Sequence, residues 1–184
     1  MSLCAALVAA PAPASLLDYV GECVPFARAA SGIQIYGDAW TWWDKAAGKY
    51  RRGYVPREGA VIVFAQSARL PLGHVAVISR VIDERVVMVT HANWSRIDGV
   101  RGHVEQDVTL TDVSYQGDWS AVRVWYRGSA GLGSTSYPVN GFIYGGREAA
   151  SRSSIARNFA MVASRSAGDK SSAVADIAST YAYS

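Results

Sequence analysis

The sequence predicts one α+β domain in which N-terminal helices pack on an antiparallel β-meander. Two observations carry this. Apolar residues recur at helical spacing near the start, and from residue 59 onward the pattern changes to β-branched runs separated by turn residues. That order, helices first and strands after, belongs to the α+β class. The 184 residues suit a single core, and 50% hydrophobic against 18% charged residues describes a chain that buries one.

The first helix is expected in "CVPFARAASG", where Cys23, Phe26, Ala27 and Ala30 fall at i, i+3, i+4 and i+7 and Gly32 stands as the stop. Pro25 fits the first turn, whose amides have no intrahelical partner. Cys23 then sits at the positive end of the helix dipole, which favours the thiolate, so an acidic thiol is expected. A second helix is expected after Asp38 as N-cap, through "AWTWWDKAAG" to Gly48. Strands are expected at 59–65, 73–82, 85–93, 104–110 and 121–127. The domain so defined covers 15–128. Residues 129–146 read as an extension packed on it, and 147–184 as a Ser/Ala/Arg-rich low-complexity tail.

Residues 1–14, "MSLCAALVAAPAPA", are apolar and small and end in Ala-x-Ala sites, the pattern of a signal peptide whose basic start is missing. The stretch is too short to span a bilayer. The expectation is an exported, periplasmic or extracellular protein without stable membrane insertion. A net charge of +3 spread over scattered Arg and Lys excludes a nucleic-acid reading and suits an acidic polymer. A monomer is expected.

The chain has two cysteines, Cys4 and Cys23. Loss of the leader would leave Cys23 alone in an oxidising compartment, a flag for reactivity. A Cys4–Cys23 disulfide and a buried inert thiol are the other readings. A nucleophilic thiol needs an imidazole, and the imidazole needs a group that orients it. If Asp83 and Glu84 form a two-residue hairpin loop, His74 lies directly opposite Asn93, with Cβ atoms about 4.5–5.5 Å apart. Cys23, His74 and Asn93 are therefore the candidate catalytic residues. His91, on the same face, is either a partner behind His74 or a rival base; His103 lies in polar surroundings and reads as a surface residue. No close-spaced pair of cysteines or histidines suggests a metal, and no cofactor is expected.

Taken in order, "ECVPFARAASG", "GDAWTWW", "PREGAVIVFA", "GHVAVI" and "HANW" resemble CHAP domains, the cysteine- and histidine-dependent amidohydrolases and peptidases related to the NlpC/P60 and papain-like group. The resemblance covers roughly residues 20–127. It implies a papain-like fold in which Cys23 attacks an amide through a thioester, His74 moves the proton and Asn93 orients His74. Family members often carry Glu two residues before that Asn, and here His91 takes the place. The resemblance further implies a peptidoglycan substrate, cut at the lactyl-Ala amide or a peptide bond, with Asp38, Trp40 and Trp94 against it. A non-catalytic wall-binding module and an amidase of another small amide are the alternatives.

Overall fold

A computed structural model describes residues 19–145. The expected leader, Cys4 and the C-terminal tail lie outside the described residues.

Helix α1 spans Cys23–Ser31. Glu22 enters it in extended conformation, and Gly32 ends it at φ 77°, donating its N–H to the Arg28 carbonyl at 2.9 Å. A left-handed C-terminal residue of this kind is where glycine carries no Cβ penalty. Phe26, Ala27 and Ala30 form the buried face. The second expected helix is shorter and split, a 3-10 turn at Ala39–Thr41 running into α2 at Trp42–Lys45.

Eight strands follow: β1 (Arg51–Gly53), β2 (Val61–Phe64), β3 (His74–Val81), β4 (Val86–Ala92), β5 (Val104–Asp112), β6 (Ala121–Tyr126), β7 (Gly131–Leu132) and β8 (Tyr137–Tyr144). All pair antiparallel. The expected run from β2 to β6 is present, but the sheet is not an open meander. β8 pairs with β2 along one edge, and with β6 and β1 along the other. Strands β2, β3, β4, β5, β6 and β8 thereby close an antiparallel barrel. The papain-like arrangement of substantial helices on a meander gives way to a mostly-sheet body with few helices. The physical reason is the segment 129–146: its strand supplies the edge pairing that an open meander would leave exposed.

Closure also explains why β2 and much of β3 are buried on both faces. Val61, Val63, Val75 and Val77 face outward onto α1 and Trp42, in a core with Phe26 and Ile33. Ile62, Phe64, Ala76 and Ile78 face inward, with Val87, Val89, Leu110, Val122 and Phe142 filling the barrel. Alternation along a strand sends successive side chains to opposite faces, so one strand serves two cores.

The β3–β4 hairpin reaches the expected register by an unexpected route. The turn is longer than two residues, since Ile82 and Asp83 both donate to the Val86 carbonyl, and Val81 pairs Val87 one step out of register. A bulge between Ile78 and Arg80 removes the offset, and Val77 then pairs Thr90. Far from the site, buried Asp112 accepts hydrogen bonds from Ser114 N (2.8 Å), Ser114 Oγ (2.6 Å) and Trp119 N (3.3 Å), and pairs with Arg85 Nε at 3.3 Å.

Candidate active site

The outward end of α1 and the first residue of β3 meet at a groove of about 640 Å³ lined by Cys23, His74, Asp38, Asn93 and Trp94. Gly73 holds the strand start against the Asp38–Trp40 segment. At φ 67° any Cβ there would lie 2.7 Å from Trp40 N and 2.9 Å from the Phe64 carbonyl oxygen, so only glycine fits. Trp40 N donates to the Leu72 carbonyl at 3.1 Å, which locks this approach. The Trp40 side chain does not line the groove; Trp94 does.

Cys23 is a free thiol, partly buried. Burial pushes it up to about 11; the backbone amide of Val75 works the other way, and the Glu22 carboxylate raises it further. The acidic thiol expected from the helix dipole is therefore not found, because desolvation outweighs the amides at the helix start. No hydrogen bond joins Cys23 to His74 among the described residues.

His74 is buried inside the barrel. Its Nε2 lies 3.0 Å from Nδ1 of His91, on the next strand. Burial, reinforced by His91 and Arg101, holds the His74 imidazole well below its ordinary 6.5, and burial alone brings His91 down to about 3. Both rings are neutral at neutral pH. Trp94 closes over the pair, its ring 4.8 Å from that of His74 and 5.5 Å from that of His91, the latter stacked at 27°. Behind His91 stands Glu105, directly opposite it across the β4–β5 ladder, with Oε2 at 3.8 Å from His91 Nε2.

The expected Asn93–His74 contact is absent. Asn93 lies just past the end of β4 at φ 65°, and its Nδ2 donates to Glu22 Oε2 at 2.6 Å. The left-handed turn that follows Ala92 takes the Asn93 side chain off the strand face and toward the start of α1, so the partner within reach of His74 is His91. His103 bridges Val20, and its backbone carbonyl accepts from Asn93 N at 3.1 Å.

Arg69 and Arg101 also line the groove and lead into an adjoining cavity of about 630 Å³ that shares both with it. Sequence reasoning missed Glu22, Arg69, Arg101 and Glu105. Of these only Glu22, adjacent to Cys23, carried a local signal. Among the described residues no group of three or more His, Cys, Asp and Glu side chains is arranged to hold a metal ion, and no helix is long and apolar enough to cross a membrane.

Comparison with known proteins returns the CHAP domain family, matched over residues 15–93. No curated protein matches significantly. Two solved structures of Ly7917, one of them with the hydrolyzing product of MDP, align at 13% identity. They cover 73% and 71% of this chain and 90% and 89% of theirs, with TM-scores of 0.30 and 0.28. The span matched by the family model takes in Cys23, His74, His91 and Asn93, and over that span the chain is similar to CHAP domains.

Proposed function

We propose that the protein is an exported cysteine amidohydrolase that cuts peptide or lactyl-Ala amide bonds of peptidoglycan. The observation that carries the reading is the placement of Cys23, at the start of a helix, and His74, at the start of a strand, in one groove inside the span matched by the CHAP family. In this reading Cys23 and His74 are the reacting residues, and His91, rather than Asn93, orients His74. Asn93 instead positions Glu22 at the mouth of the helix.

With thiol and imidazole both neutral, the first step is general-base catalysis rather than attack by a preformed thiolate. His74 takes the Cys23 proton on the nitrogen not engaged by His91 as the sulfur adds to the amide carbonyl. The oxyanion so formed meets the backbone N–H groups that open α1 without intrahelical partners. The imidazolium returns its proton to the leaving amine, the C–N bond breaks, and water, deprotonated by the same ring, hydrolyses the thioester. Arg69 and Arg101 suit a substrate with carboxylates beside the scissile bond, as a stem peptide has.

Purified peptidoglycan incubated with the protein and with Cys23→Ala, with released fragments identified by mass spectrometry, tests this. Fragments from the wild type alone support the proposal, and their new termini name the bond. Absence of fragments from both, while both still sediment with the wall, favours a binding module, a reading to which the raised thiol and the missing Cys23–His74 hydrogen bond lend weight.

A further inference from the structure

We infer that Glu105 is a positioning residue that sets the tautomers of both imidazoles, through a His74–His91–Glu105 chain that crosses three neighbouring strands of the barrel; this rests on the amidohydrolase reading above. Glu105 lies beyond the span matched by the CHAP family. Its side chain is 1% exposed and that of His91 is fully buried, so neither is placed for contact with solvent or substrate.

Two atoms point to the link. His91 Nε2 and Glu105 Oε1 are both buried without a hydrogen-bond partner. Buried polar atoms are nearly always satisfied, so an unpartnered His91 Nε2 whose facing residue is a buried carboxylate marks a bond that a small movement completes. From the 3.8 Å between His91 Nε2 and Glu105 Oε2, a shift of about 1 Å reaches the ~2.8 Å of a charge-assisted hydrogen bond. Both Glu105 oxygens also have neighbours on other elements. Ser95 N donates to its Oε2 at 2.9 Å, and Arg127 Nε stands 4.0 Å from Oε1.

The consequence follows from donor and acceptor chemistry. A carboxylate only accepts, so the hydrogen His91 presents to Glu105 is on Nε2. A neutral imidazole protonated there has an accepting Nδ1. That Nδ1 is 3.0 Å from His74 Nε2, so His74 donates along this contact and its own Nδ1 keeps a lone pair. The lone pair is what a general base needs in order to take the thiol proton. His91 and Glu105 exchange no net proton in the cycle; they keep His74 in the competent tautomer and stabilise its transient charge. Holding a catalytic imidazole in the wrong tautomer costs a serine triad about 10⁴-fold in kcat.

The test is nitrogen-15 NMR of the histidines in the intact protein carrying His103→Gln, so that only the two rings of interest report, alongside kinetics of Glu105→Gln. Gln keeps the shape and an oxygen for Ser95 N but removes the charge. The inference expects Nε2–H tautomers at both His74 and His91 in the parent, a mixture in Glu105→Gln, and kcat lowered at least about tenfold with KM within about twofold. An Nδ1–H tautomer at His91 in the parent, or unchanged tautomers and kcat in Glu105→Gln, overturns it. The parent spectrum needs no Glu105 variant to fold and no substrate. If no amide is cut at all, the amidohydrolase reading fails while the tautomers still decide whether the chain exists.

Discussion

The Cys23 thiol should behave as a weak acid, and its alkylation rate offers a direct reading. With the thiol raised to about 11, roughly one molecule in 10⁴ is thiolate at pH 7, against about one in 30 for an ordinary thiol near 8.5. A more basic thiolate is also the better nucleophile, with a Brønsted slope of about 0.4–0.5, which returns roughly a tenfold factor. Reaction of iodoacetamide with the Cys4→Ser protein should therefore be roughly 30-fold slower at pH 7 than with an unstructured cysteine peptide. The rate should climb tenfold per pH unit through pH 9. Glu22→Gln should bring the titration down, because the neighbouring carboxylate disfavours the thiolate. His74→Ala should leave it in place, since burial and not the imidazole sets it. A rate that levels off at or below pH 8.5, or a titration moved by His74→Ala, would refute this account and restore a thiolate–imidazolium pair.

Removing His91 should hurt catalysis far more than removing Asn93. His91→Ala is expected to lower kcat by about 10²-fold, within the range of general-base contributions, and Asn93→Ala only a few-fold, as measured by amide release from peptidoglycan fragments. Acid should unfold the protein early. Buried His74 and His91 have folded-state values below the unfolded 6.5, so their contribution is full above pH 6.5 and declines as pH falls toward 3; denaturant midpoints across that window should drop, and His91→Leu should flatten the decline. Asp112→Ala should destabilise by about 2–4 kcal/mol in urea unfolding, because Ser114 N and Trp119 N lose their buried acceptor, while the groove of the folded protein stays intact.

Local chemistry made much of this molecule legible in advance. The helical spacing from Cys23 to Ala30 with Gly32 behind it, and the β-branched runs of β2 to β6, are short-range signals whose physical basis is turn geometry and side-chain alternation. Cys23 stood out because it begins its helix, and His74 because the expected hairpin register set it opposite Asn93. Two features escaped for different reasons. Barrel closure depends on Tyr137–Tyr144 pairing with strands far away in sequence, and a glycine-bearing segment after a loose linker carries little local sign of it. The partner of His74 depended on where a strand ends: the hairpin register was close to expectation, yet the left-handed turn at Asn93 sent its amide to Glu22 and left His74 facing His91.

What sequence alone determined, then, is most of the elements and the placement of Cys23 and His74 near their tips, since each follows from residues within a turn or two of one another. What only the tertiary structure decided is their electrostatic setting. An inward-facing ring on β3, another on β4 and a carboxylate on β5 come together because the strands pair in one register and the barrel closes around them. Desolvation inside that barrel then lowers both imidazoles, and burial at the groove raises the thiol, because the free energy of a charge depends on everything packed around it rather than on its neighbours in the chain.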